Sequence, residues 1–453
     1  MTDPMARETG LLRELTRHIV KENIPLSPAE LAYLTANNLP EPPEGGGYKT
    51  NVRPAGHDAF QQLSECIVAK SEAIARGTRF DAVQEELLAR CEEYAERDPQ
   101  SVTLRDAQDL HDHYAKWFTE RARSRRVFVP CVLTRHGSPD FSIGPVSFFF
   151  INEHGAHTFY TPGTMPDALT HQSFEDVLKL MKETRANWIA RVDVEGCDRE
   201  RAEDVGELAI DLAIVALQLA APGSQTSTMS RLDSRRGAAE KRIISEADGH
   251  YNWSWTRTEA GITIGPGYLA HILKVAQPVV SAVGNTVRGF TSGRFQLPAL
   301  QTAWCDAAYW LHQALVEAVD SIAVTKLETA LEVLLQGEKT SGSEWRLLQV
   351  LDSFYGLAPD DPIRPGSTLT AKRFAKNQVN DRSRILHGTW STLNRPLGRS
   401  RQSMQQFTTD VIGRAAIELD TYWHEPSARD DVDSFLSWVK TRHGGSTTAS
   451  QPP

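Results

Sequence analysis

The apolar residues Leu297, Leu300, Trp304, Ala308, Leu311, Leu315, Val319 and Ile322 recur at steps of three or four. No strand presents such a set on one face, because strand side chains alternate with period two. On an α-helix the same residues make one stripe that has to be buried against other helices. The spacing predicts one long amphipathic helix over 297–322. The stretch "KLETALEVLLQGE" continues it or starts another helix, with Gly337 as its C-terminal cap. "SEWRLLQVLDSFYG", "TLTAKRFAKNQVNDRSRILHG" and "MQQFTTDVIGRAAIELDTYW" read as further helices, and 358–367 as a loop. The last of these helices carries Phe407, Val411, Ala415, Leu419 and Tyr422 on one face. The terminal "HGGSTTASQPP", 443–453, is expected to be disordered.

Upstream the texture differs. Residues 1–125 alternate apolar and charged positions at helical spacing, broken by a Pro- and Gly-dense loop at 39–56. From 127, "RVFVPCVL", "FSIGPVSFFFI" and "HTFY" are rich in β-formers and bounded by turn residues. In "NWIARVDVE", Trp188, Ala190, Val192 and Val194 alternate with Arg191, Asp193 and Glu195, the pattern of a half-buried strand. A helix over 200–221 and three short strands over 242–265 ("RIISEA", "YNWSWT", "GITIG") follow. The fold class is thus α+β. A helical region (1–125) and an α+β domain (127–290) precede an all-α bundle (295–430).

A chain of 453 residues has room for two or three such domains, and its net charge of −9 argues against a bulk nucleic-acid coat protein. The scattered Cys66, Cys91, Cys131, Cys197 and Cys305 read as reduced thiols. The first residues lack the apolar core of a signal peptide. The longest apolar run, 207–223, is interrupted by Asp211 and Gln218 and is shorter than the roughly 20 residues of a membrane span. A cytoplasmic protein with no membrane partner is expected. No metal or cofactor is expected either. His111 and His113 point apart on a helix, His154 and His157 lack a third ligand, and no phosphate-cradling glycine motif is present.

Charge is more telling. Arg364, Lys372, Arg373, Lys376, Arg382, Arg384, Arg395, Arg399 and Arg401 crowd one segment, where the only acid after Gly366 is Asp381. Such a basic patch in an acidic protein either receives phosphate or pairs with acids of a neighbouring helix, such as Glu328 and Glu332. Within it stands "NDRSRILHG", 380–388. Five residues separate Arg382 from His387, so on one continuous helix they point about 140° apart. Two arrangements bring them together. The helix ends near Leu386 and Gly388 lets His387 swing round, or a second copy supplies the missing partner across a two-fold axis. A cation and a titratable base at one spot suit RNA cleavage by the 2′-OH. His moves the proton and Arg holds charge on the phosphorane, without a metal.

The C-terminal third, about 295–430, resembles the HEPN superfamily, and within it the Apea-like HEPN domains. "RSRILHG" fits that family's Arg-x(4–6)-His motif, and "KLETALEVLL" looks like the helix upstream of it. The resemblance implies a helical bundle that dimerises and cleaves RNA, of the kind found in phage defence and toxin systems. It makes Arg382 and His387 the catalytic pair, with Ser383 orienting the site and Arg384, Lys376, Arg373 and Lys372 holding backbone phosphates. Many active members carry Asn, Asp or His after the Arg, where this chain has Ser383. The alternative within the family is a non-catalytic module for dimerisation or nucleotide binding. An N-terminal sensor answering a phage-derived trigger or regulatory partner is the corresponding reading of 1–290. A small-molecule enzyme housed in the α+β region is a third reading.

Overall fold

The computed structural model describes residues 4–20, 51–95, 97–151, 168–184, 186–223, 226–232, 239–258, 261–337, 340–390 and 398–444. The chain divides into two compact units, 1–125 with 194–204, and 126–193 with 205–453. The expected strand "HTFY" and the pair His154 and His157 lie outside the described residues, as does 445–453 of the expected tail.

In the first unit, helices α1 (Pro4–His18), α2 (His57–Lys70), α3 (Glu72–Gly77), α4 (Phe80–Cys91) and α5 (Leu104–Arg121) accompany a short ladder. Its strands are β1 (Ile19–Val20) and β2 (Asn51–Val52). The apolar faces converge on Leu12, Leu15, Phe60, Leu63, Val83, Leu87 and Tyr114, the last donating its hydroxyl to the Val83 carbonyl at 2.8 Å. His111 and His113 diverge as helix geometry requires. His111 pairs with Glu8 and His113 with Glu86, each at 2.6 Å. Residues 194–204 join this unit through a two-pronged Arg79–Asp204 ion pair at 2.6 and 2.7 Å.

The second unit holds a five-stranded sheet in the order β4-β5-β6-β3-β7. Its strands are β3 (Arg123–Val132), β4 (Phe141–Ile143), β5 (Val146–Phe150), β6 (Trp188–Cys197) and β7 (Ser230–Arg231). The β4–β5, β5–β6 and β3–β7 pairs are antiparallel. In β6, Trp188, Ala190, Val192 and Val194 are buried while Asp193 and Glu195 are exposed, as the alternation requires. Trp188 sits against Phe141 and Phe150 and donates its indole N–H to Thr134 Oγ1 at 2.9 Å. "GITIG" forms no strand. Ile262 makes a single bridge to Thr134, bonding the backbone of Leu133 and Arg135. Instead β8 (Ala239–Ala247) and β9 (His250–Thr258) pair with each other as a separate hairpin.

Helices α6 (Ala168–Thr184), α7 (Arg199–Ala220), α8 (Tyr268–Val275) and α9 (Gln277–Ser292) flank the strands in sequence. Where α9 meets the β4–β5 turn, Gly144 has φ +58° and a Cβ on it would lie 2.1 Å from the Gly284 carbonyl oxygen. Only glycine fits both demands. The Asp211 and Gln218 that interrupt the apolar run of α7 are both buried and partnered. Asp211 bonds Arg231 at 3.0 Å and lies 3.5 Å from the fully buried His312. Burial works against the Asp211 carboxylate, but hydrogen bonding and charge from His312 and Arg231 outweigh it and hold the group below the usual carboxylate range. Gln218 donates to the Thr226 and Met229 carbonyls and accepts from His312 Nδ1.

The expected single helix over 297–322 is two. Helix α10 (Pro298–Leu315) and α11 (Asp320–Leu334) fold against each other around a turn at 316–319. Glu317 holds that turn, its side chain accepting from Val319 N and pairing with Lys326 while its carbonyl accepts from Arg401. Doubling back lets α11 bury its own face on α10, and it leaves Val319 and Ile322 exposed, off the seam. Helices α12 (Thr340–Tyr355), α13 (Ala371–Leu386), α14 (Gly398–Tyr422) and α15 (Val432–Gly444) complete the bundle. The Phe435 ring of α15 packs on Phe354 and Tyr422.

The cap of α11 also differs from expectation. Gln336, with φ +53°, takes the left-handed position, and Gly337 follows it, donating its N–H to the Glu332 carbonyl at 2.9 Å. This is a Schellman turn with its strained position on a side-chain-bearing residue, which costs roughly 1–2 kcal/mol relative to glycine. Gln336→Gly is therefore expected to raise stability by about 0.5–1 kcal/mol after its larger unfolded-state entropy is counted. Gly337→Ala, meeting Ser343 Oγ at 3.3 Å, gives no such gain; thermal melts of both variants check the assignment.

Candidate active site

Helix α13 carries the candidate residues. Thr370 caps its start, accepting from Arg373 N, and the chain before it is pinned by the Pro362–Thr370 bridge. Ala371, Phe374, Ala375, Gln378 and Val379 are buried, which settles which side of α13 faces the bundle. At about 100° per residue, Arg382 falls among these buried positions. Lys372, Ser383, Lys376, His387, Asn380, Arg373 and Arg384 fall together on the opposite side, over roughly 120° of arc. Except for half-buried Ser383, all of these are exposed.

The C-terminus of α13 keeps His387 in this phase. His387 has φ −84° and ψ 6° and donates its backbone N–H to Ser383 O, still close to the helical path. Gly388, at φ +67°, turns the chain after it. Gly388 N and Thr389 N bond the carbonyls of Ile385 and Arg384, the two bonds of a Schellman turn. Gly388 thus redirects Thr389 and Trp390 and does not swing His387 round. Arg384 lies over the Trp390 ring, 4.7 Å from its centre. The first of the two arrangements foreseen for the motif is therefore not adopted. No hydrogen bond joins Arg382 to His387 among the described residues.

Arg382 turns instead to α11. Its Nη1 donates to Glu332 Oε1 at 2.8 Å, and its Nε lies 3.8 Å from Glu328 Oε2. Ser343 of α12 donates to the same Glu332 oxygen at 2.6 Å. Glu328, only 1% exposed, has no hydrogen-bond partner on either carboxyl oxygen among the described residues. Burial pushes its pKa up to about 9, and the nearby Glu332 and Asp381 add to this, while Arg382 pulls the other way. At neutral pH Glu328 is a neutral acid, so Arg382 is charge-balanced chiefly by Glu332. Asp381 is also raised, by burial, against the pull of Arg384.

The basic segment consequently serves two purposes. Arg382 and Arg401 hold the bundle together, Arg401 by bonding Asp320 Oδ1 at 2.8 Å and the Glu317 carbonyl at 2.7 Å. Lys372, Arg373 and Lys376 form no ion pair among the described residues and present their charge to solvent around His387 and Ser383. Arg395 and the side chain of Arg399 lie outside the described residues. The Glu328 and Glu332 partnership was legible as a pairing between neighbouring helices. The contribution of Ser343 had no sequence signal, since it comes from a third helix.

Among the described residues, no three His, Cys, Asp or Glu side chains gather as a metal site, and no helix is long and apolar enough to cross a membrane. A cavity of about 430 Å³ opens beside Gly223, Leu315, Gln402, Gln405 and Thr409. Its one charged lining residue, Arg401, is committed to Asp320 and Glu317. Compared with known proteins, the chain matches no family model, no curated protein and no solved structure.

Two outcomes follow from this geometry. A carboxyl whose folded pKa is raised binds a proton that the unfolded chain has lost. Glu328 therefore lowers stability progressively as pH climbs from its ordinary range near 4.5 toward 9, and the loss levels off above that. Glu328→Gln should be more stable than the parent by a margin that widens between pH about 5 and about 8.5 in thermal melts. Arg382→Ala should cost roughly 1–3 kcal/mol by stranding Glu332, whereas the exposed His387→Ala should stay within about 0.5 kcal/mol.

Proposed function

We propose that this protein is a metal-independent endoribonuclease of the HEPN type, cleaving RNA through 2′-OH attack at a site completed by two copies of α13. One observation carries the reading. His387 stands at the centre of an exposed face with Lys372, Arg373, Lys376 and Arg384 and no acid. Such a face attracts a phosphate backbone and sets an imidazole against it. His387 acts as the general acid and base. Arg382 stabilises the developing charge from the second copy, since its Nη2 has no protein partner among the described residues and its side chain retains 27% exposure. Ser383, one turn before His387, orients the site. Defence of the cell against phage is the setting that the Apea-like resemblance suggests, with a sensing role for 1–290.

The Arg382–Glu332 ion pair favours a second reading. An arginine already balanced within its own bundle suits a non-catalytic HEPN module that pairs chains or binds a nucleotide.

Purified full-length protein incubated with RNA in EDTA separates the two. Cleavage that survives EDTA and disappears in His387→Ala and in Arg382→Ala, the latter assayed below its own melting temperature, supports the enzyme. Equal cleavage by the variants refutes it, and so does no cleavage in the presence of a triggering phage lysate. For RNA binding, replacing Lys372 or Lys376 by Ala should lower the salt dependence of affinity by roughly 0.7 in log–log slope per residue. An unchanged slope would remove those side chains from the RNA path.

A further inference from the structure

The β8–β9 hairpin presents a face that its own unit leaves bare. In the register of the ladder, Arg242 stands opposite Trp255, Ile244 opposite Trp253, and Glu246 opposite Tyr251. Alternation puts these six side chains on one side of the ribbon. The exposures are 74% for Ile244, 74% for Tyr251, 78% for Trp253 and 52% for Trp255. Four large apolar side chains in a row, open to water, make a patch on the order of 600 Å², at the upper limit for a solitary protein surface. A two-stranded ribbon by itself is marginally stable in water, and among the described residues this one pairs with no third strand. Both the strands and their aromatic face call for a cover.

We propose that the cover is the same hairpin of a second copy of this chain, stacked face to face. The charge pattern singles out that occupant. A surface built to stack single-stranded nucleic acid carries uncompensated positive charge among its aromatics, and a membrane-seated ribbon carries flanking Lys or Arg. Among its described side chains this face carries one cation and one anion, Arg242 and Glu246, placed symmetrically about Ile244 on the same strand, and the next pair toward the open end of the ladder, Glu240 opposite Arg257, is again one of each sign. A two-fold axis lying between the stacked faces and crossing the strands at the Ile244–Trp253 pair brings Arg242 of each copy over Glu246 of the other. The same operation sets Trp253 over Trp253 and Trp255 over Tyr251, a self-complementary contact of the isologous kind. A stable dimer needs about 800 Å² from each partner, and the four apolar side chains with their charged neighbours supply most of it. The turn at Asp248 and Gly249, held by the Gly249 N–H to Glu246 hydrogen bond, keeps Glu246 at the end of the ribbon where this pairing requires it. The contact is independent of the ribonuclease reading and uses a different two-fold from the one at α13.

Sedimentation velocity on the full-length chain tests it. Ile244→Lys combined with Trp253→Lys should halve the mass of the assembly, and the main thermal transition should stay in place because neither side chain belongs to a core. Arg242→Glu and Glu246→Arg, each alone, should weaken association at least tenfold, and the two together should restore it. Restoration by the combined reversal is the signature that unfolding of the hairpin cannot produce. An unchanged mass in the lysine variant overturns the proposal. A double reversal that does not restore association also overturns it. So does a wild type that sediments as a monomer, including one that binds oligouridine or anionic phosphatidylserine vesicles through Trp253.

Discussion

The C-terminal half of the structure depends on the burial of α11. Ala323, Val324, Leu327, Ala330, Leu331 and Leu334 are all nearly inaccessible, because α10, α13 and α14 each pack against this one helix. A helix enclosed on several sides has little room for a polar residue. Glu328 is nevertheless there, one turn before Glu332. Its burial gives it a pKa near 9, and the pair of acids gives α13 its orientation by drawing Arg382 inward. With Glu328 kept neutral by its burial, Glu332 is left as the hydrogen-bonding partner of the Arg382 cation.

That orientation decides what α13 shows to solvent. Once Arg382 and the apolar residues face α11 and its neighbours, helical periodicity leaves Lys372, Arg373, Lys376, Ser383, Arg384 and His387 outside. The segment is basic on both sides, but the two sides have different fates. Inward cations are neutralised by partners on the bundle, and outward ones keep their long-range field. The proposal of an RNA-cleaving site rests on that outward field around His387. The inward Arg382 sets its main geometric requirement, a second copy to bring cation and imidazole together.

Much of this was legible from residue spacing. The helices of the C-terminal region, the half-buried β6 strand and the divergence of His111 from His113 follow from period and phase alone. So does the angle of about 140° between Arg382 and His387. The break at 316–319 was not legible, because the apolar steps run through it without interruption. Only the Glu317–Lys326 ion pair, the Val319 N–H bond to Glu317 and the chance for α11 to fold back on α10 give a reason to stop there. The cap at Gln336 was misleading for a related reason. Gly337 is the better residue for a left-handed turn, but α11 ends one residue earlier and Gln336 takes the left-handed position.

Apart from the break at 316–319, the sequence by itself determined the helical segments of the C-terminal region, which residues share a face within each, and that Arg382 and His387 lie on different sides of one helix. These are local properties, set by backbone geometry over a few residues. Tertiary structure decided which of those faces turns inward. Glu328, Glu332 and Ser343 lie about 40–55 residues from Arg382 along the chain, and only the packing of α11, α12 and α13 brings them within reach of it. It likewise decided that the aromatic side of β8 and β9 stays bare, since a strand's alternation fixes two faces without saying what, if anything, covers either.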